Sequence, residues 1–245
     1  MTINVSKCKV MSFYRIKKPV AFDYSVGDVR LTRVSQMTDL GVLLDPQLTF
    51  KPHISVKVAK AYSMLGFLKR MCADFKDLKC LTSLYNAHVR SHLEYASVVW
   101  SPSGVELSDA IESVQKRFVL YALRHSVRRN RNYELPPYDE RRRVLCLERL
   151  STRRRNARVF FLYDVLKARV NSPKLTEMFD SYRHEPEHPY SLRRFNVFRP
   201  PRHRTLYGYH EPLAVACREF ERFIDVFRTS DSREIFRSRV KSSSR

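Results

Sequence analysis

The hydrophobic period of this chain changes at Pro52. Before that proline, apolar and polar residues mostly alternate, as in strands with one buried face. Residues 5–13 and 21–26 alternate, Gly27-Asp28 is a hairpin-turn signal, and residues 29–32 return the chain. Residues 40–44 form a more buried run that Asp45-Pro46 ends. After Pro52, Ile54, Val58, Ala61, Leu65, Leu68 and Cys72 recur at steps of four and three, the stripe of an amphipathic helix. A stripe of that period does not fit a sheet. The predicted class is therefore α+β: a small antiparallel sheet or hairpin, then a mainly helical bundle, then a basic helical region.

The remaining elements follow from the same periodicity. A second helix is predicted from about Asp77 to Tyr95, burying Leu78, Leu81, Tyr85 and Val89. Pro102 and Gly104 precede a third, which carries Ile111, Val114, Phe118 and Tyr121. Pro136-Pro137 marks a boundary. Beyond it, Val144, Leu147 and Leu150 make one short stripe, and Leu162, Val165 and Leu166 another. Residues 173–209 are rich in Pro, His and Arg without periodicity and read as an extended loop. A last helix places Leu213, Ala216, Cys217, Phe220, Phe223, Ile224 and Phe227 on one face. Three regions result: 1–52, 53–132 and 133–245.

Charge says what such a fold faces. Lys and Arg number 46 against 25 Asp and Glu, a net +21 over 245 residues, while 43% hydrophobic residues exclude a disordered basic tail. The charge is concentrated. No acid occurs between Asp45 and Asp74, Glu112 and Glu134, Glu148 and Asp164, or Glu187 and Glu211. These windows interleave Lys and Arg with aromatics, the composition of a surface that binds phosphates and stacks bases. Candidate nucleic-acid contacts are Lys57, Lys60, Lys69, Arg70, Lys116, Arg117, Arg124, Arg128, Arg129, Arg153, Arg154 and Arg155. The expected partner is RNA, RNA–DNA hybrid or DNA, held by its backbone rather than by base sequence. Solvated helix faces are the plainer account of any single run.

Other chemistry is weakly encoded. Five scattered cysteines without a Cys-x-x-Cys pair suit a reducing compartment, and no apolar run approaches a membrane span. An intracellular location, cytoplasmic ribonucleoprotein or nuclear, is expected. Cys72, Cys80, His88 and His92 have only a faint metal-like spacing, so no metal is expected. No adjacent Asp pair exists to hold two metal ions for phosphoryl transfer, and five scattered glycines make no phosphate loop. No self-sufficient active site is expected.

Three blocks carry a family resemblance. Asn4-Val5-Ser6-Lys7-Cys8-Lys9-Val10-Met11-Ser12-Phe13 resembles the segment after the catalytic Asp-Asp motif in reverse transcriptases of non-LTR retrotransposons. Asp39-Leu40-Gly41-Val42-Leu43-Leu44-Asp45 with His53-Ile54 is similar to the block that follows there. Leu93-Glu94-Tyr95-Ala96-Ser97-Val98-Val99-Trp100-Ser101-Pro102, continued by Ile111-Glu112-Ser113-Val114-Gln115-Lys116-Arg117-Phe118, is the most specific match. Tyr138 with Arg141 to Arg143, Leu150 with Arg153-Arg154-Arg155, and Arg204-Thr205-Leu206-Tyr207-Gly208 are similar to the family's C-terminal portion, so the resemblance covers essentially the whole chain in order, with jockey-like elements coming closest. It implies the end of the palm with a primer-grip-like hairpin in 1–52, a thumb-like domain in 53–132 and a C-terminal extension in 133–245. Leu40, Gly41 and Val42 would form the primer-grip turn. Lys7 would match a palm lysine that assists pyrophosphate, active only if a palm is supplied. The catalytic aspartates and their Mg²⁺ would lie outside this chain, which alone would bind template–primer without polymerising. A stand-alone RNA- or DNA-binding scaffold without polymerase activity is the alternative.

Overall fold

The structure, a computed structural model, describes residues 4–16, 20, 22–126, 135–184 and 197–243. It is mixed α+β, about 59% helical, with strands that join only in pairs. β1 (Lys9–Val10) lies parallel to β4 (Thr32–Arg33). β2 (Ser25–Val26) and β3 (Val29–Arg30) form the hairpin expected around Gly27-Asp28. β5 (Met37–Asp39) pairs antiparallel with β6 (Val42–Leu44), Asp39 opposite Val42. The expected antiparallel sheet is thus three separate pairs, one of them parallel, and Val5–Lys7 is a 3₁₀ turn. Packing explains the difference. No described residue before Val42 is buried, so alternation here meets no second layer, and isolated pairs stay short.

Helices build the core. α1 (Lys51–Met71) buries Ile54, Ala61, Leu65 and Leu68 along the expected stripe. The second predicted helix exists as α2 (Leu78–Tyr85), a π-helical turn (Asn86–Arg90) and α3 (Ser91–Glu94). Its core residues Leu81, Tyr85, Val89 and Leu93 are each four apart and all 0% exposed. Four-residue steps drift by about 40° each on an ideal α-helix. The wider π turn absorbs that drift and returns Val89 and Leu93 to the core. α4 (Ser97–Trp100) and α5 (Val105–Ser126) follow, and Tyr85 stacks on Phe118 of α5 with centroids 4.0 Å apart.

Two hydrophobic clusters divide the chain within α7 (Leu150–Leu166). The first runs from Val42 to Leu150 and takes in α6 (Tyr138–Val144), so Pro136-Pro137 lies inside its span. The second starts at Val159 and ends at Val240. It contains α8 (Pro173–Asp180), α10 (Pro212–Glu221), α11 (Ile224–Arg228) and α12 (Arg233–Ser242), with the short α9 (Leu206–Tyr209) between. α8 corrects the reading of 173–209 as loop: Pro173 opens the helix, as prolines can, and Phe179 anchors it. α12 goes beyond the expected elements. Ser232 Oγ caps it at the Ile235 N–H, and Phe236 and Val240 bury one face. The last predicted helix is broken between α10 and α11 near Phe223. Among the described residues no helix is long and apolar enough to cross a membrane.

Candidate nucleic-acid interface

The scaffold of the interface begins at Asp45. Its buried carboxylate accepts the N–H groups of Gln47, Thr49 and Phe50 at 2.8–3.1 Å and the Thr49 hydroxyl. That bracket holds Leu48 and Phe50 at positive φ and turns the chain into α1. His53, one turn into α1, then reaches back: its Nδ1 accepts the Leu43 N–H at 3.0 Å, and its ring lies 5.2 Å from Trp100. Burial, and secondarily the charge of Lys57, lowers its pKa to about 4, so the imidazole is neutral at pH 7.

The β5–β6 tip is fastened from the other side. Leu40 and Gly41 both have positive φ, the tight two-residue turn that matches strand twist. Tyr95 Oη donates to the Leu40 carbonyl at 2.9 Å, and a Cβ on Gly41 would stand 3.3 Å from that ring. Ala96, at φ 53, breaks the helix after Tyr95, and the freed Tyr95 carbonyl accepts the Trp100 indole N–H at 2.7 Å. Asp39–Asp45, His53 and Leu93–Trp100 are therefore one contact unit. Leu40 itself stands 84% exposed at the tip.

Buried polar groups set α5 in place. Glu112 accepts the Leu150 N–H at 2.9 Å, capping α7, and also the Tyr138 hydroxyl. Gln115 donates to the Glu148 carbonyl at 2.9 Å and the Tyr138 oxygen at 3.0 Å, and accepts from Tyr85 at 3.3 Å. With these two side chains and Ile111, Val114 and Phe118 directed inward, Lys116 and Arg117 are left exposed.

Where the end of α1 meets the outer face of α5, an open hollow of about 530 Å³ is lined by Lys69, Arg117, Leu120, Tyr121, Arg124 and His125. Among the described residues no carboxylate lines it, and none of its three cations has an ion-pair partner. The Lys69 ammonium lies 5.2 Å from the Tyr121 ring centroid, and Tyr121 stacks on His125 at 5.4 Å. Burial, then the Arg117 charge, lowers the Lys69 pKa from its ordinary value. His125 Nε2 is enclosed and has no hydrogen-bond partner among the described residues. Such a hollow can take an anion with a flat ring beside it.

The sequence candidates separate accordingly. Lys69, Arg117 and Arg124 converge on the hollow, with exposed Arg70 beside Lys69 in sequence and Lys116 poised 5.7 Å from the Tyr138 ring. Lys57, half-buried, and Lys60, exposed, lie outside the lining of the hollow; after burial, their charges help to lower the pKa of His92. Arg153 is held by Glu94 at 2.9 Å and by Glu148 at 3.9 Å. Arg154 is 2% exposed and bonded to Ser108, its pKa lowered by burial to about 10; Arg155 is half-buried. Arg128 and Arg129 lie outside the described residues. Lys7 is exposed in the 3₁₀ turn, and Val42 is buried beneath the hairpin. Tyr121 and His125 were not among the candidates, although the spacing 117, 121, 124, 125 places them on one helical face. Among the described residues no group of three metal-ligating side chains is present. No family model, no curated protein and no solved structure matches the chain.

Proposed function

We propose that this chain binds template–primer nucleic acid through the hollow between α1 and α5. In this reading it is the C-terminal, thumb-containing part of a non-LTR retrotransposon-type reverse transcriptase. The observation that carries the binding is a cationic hollow lined by no carboxylate among the described residues, while the arginines on α7 are largely paired or enclosed. The family reading is supported by the contact unit that joins Asp39–Asp45, His53 and Leu93–Trp100, the blocks that bear the resemblance. It is supported also by the described residues of 4–41, which expose Phe13, Phe22, Tyr24 and Val29 and among which none is buried, as part of a larger sheet would. Polymerase chemistry would need carboxylates from outside this sequence.

The test is the affinity for an RNA–DNA hybrid as a function of salt. K69A/R117A/R124A should weaken it at least about tenfold and reduce the log–log salt slope by about 2–3, since each phosphate contact contributes close to one unit. An unchanged slope would sink the hollow as the interface. The isolated chain should extend no primer with Mg²⁺ or Mn²⁺; robust extension would overturn the assignment of the chemistry. The scaffold alternative draws on the two closed hydrophobic clusters, and cooperative melting of a monodisperse monomer would favour it.

A further inference from the structure

A second cleft, about 440 Å³, opens between α4, α7 and α12. Its three carboxylates are already matched. Glu94 pairs with Arg153 and Arg90, Glu148 with Arg153, and Asp164 with Arg233 and, at 3.9 Å, Arg169. Arg237 and Lys241, one turn apart on α12, also line it, and among the described residues neither has a carboxylate within ion-pair distance. These two charges favour an occupant that brings negative charge. The α7 wall brings two aromatic rings among its polar groups: Phe160 and Phe161 line it, and the Arg237 guanidinium lies 5.1 Å over the Phe160 ring.

Two lining residues keep hydrogen-bonding capacity. Among the described residues Asp164 Oδ1, an acceptor, has the 3.9 Å ion pair with Arg169 but no hydrogen bond, and Arg233 Nε, a donor, has none, although the two side chains bond each other through their other atoms. Enclosed polar atoms are nearly always paired, so this acceptor and donor at the cleft wall are suited to a ligand edge that offers both a donor and an acceptor. A planar face, a hydrogen-bonding edge and an attached anion together describe a nucleotide. The volume lies within the range of small-ligand sites.

We propose that this cleft holds one unpaired nucleotide of an RNA or DNA strand, its base against Phe160 and its phosphate at Arg237 and Lys241. The inference rests on the reading that the chain binds nucleic acid. It adds a single-strand site to a duplex-facing hollow built on other helices.

The test uses the full chain and a short single-stranded RNA bearing one iodouridine, photo-cross-linked and mapped by mass spectrometry, beside a titration with RNA–DNA hybrid. Cross-links are expected at Phe160 or Phe161. R237A/K241A should weaken single-strand binding about tenfold and hybrid binding by less than about twofold. K69A/R117A/R124A should do the reverse. Both substituted α12 residues are exposed, so folding should survive the change. Cross-links confined to other elements would overturn the proposal, as would equal losses on both ligands or displacement of the RNA by a glutamate-rich peptide. If the unaltered chain binds neither ligand, the underlying nucleic-acid reading fails instead.

Discussion

His53 concentrates several constraints in one side chain. It is 1% exposed, accepts the Leu43 N–H and packs on Trp100, so a proton on Nδ1 would cost the hydrogen bond that ties the hairpin to α1. The consequence is a pH dependence of known sign. The unfolded imidazole takes its proton near 6.5 and the folded one only near 4. Above pH 6.5 both states are neutral and the contribution to stability is fully present. As pH falls from 6.5 towards 4 the unfolded chain is protonated first, and up to about 3 kcal/mol is lost. Chemical denaturation between pH 7 and 4.5 should show this decline in the native chain. H53N, whose amide oxygen can replace Nδ1 as acceptor, should lack it; parallel curves would refute the role. Asp139 acts in a different window. The guanidinium groups of Arg149 and Arg142 hold its carboxyl below the usual range, so its contribution is lost only at more acidic pH.

Among the elements, the π turn at Asn86–Arg90 shows how core spacing overrides helical regularity. Leu81, Tyr85, Val89 and Leu93 need about one extra residue over their three turns for all four to face α1 and α5. Deleting exposed Ala87 would convert the steps to four, three and four, a spacing that an unbroken α-helix presents on one face. The deletion should therefore leave the melting temperature within a few degrees of the parent and retain its helical circular-dichroism signal. Loss of cooperative melting would mean that the π turn is needed for more than register. α1 shows another trade. Lys69 and Arg70 in its last turn complement the helix dipole, and the same placement sets Lys69 at the hollow.

Across the whole molecule, a net charge of +21 opposes a compact state through self-repulsion. Paired arginines ease the strain locally. Arg153 joins α7 to Glu94 of the first cluster's helices, and Arg158 joins α7 to Glu219 of α10 at 2.6 Å. Salt should act oppositely on stability and binding. Raising it from about 50 to 200 mM should raise the melting temperature of the free chain by a few degrees, through screening, while hybrid affinity falls by at least about tenfold. Calorimetry and anisotropy on one preparation would check both. A melting temperature that falls with salt would show that favourable ion pairs outweigh the global repulsion.

Periodicity alone determined α1, the face of α5 and the apolar face of α10, because a 3.6-residue stripe has few ways to be buried. Charge counting likewise located Lys69, Arg117 and Arg124, whose windows contain no competing acid. What it could not decide was which arginines remain available. Glu94 lies 59 residues from Arg153 and Ser108 lies 46 from Arg154, and only folding brings them into hydrogen-bond contact. The strands at the start failed for a related reason. Alternation specifies a face, but a sheet forms only where another layer covers it, and no such layer is present among the described residues. α12 was hidden because Phe236 and Val240 are too sparse to form a stripe until α7 and α11 supply the surface that buries them. Local pattern sets which face a segment can bury; the tertiary structure decides what, if anything, buries it, and hence which charges are left for a partner.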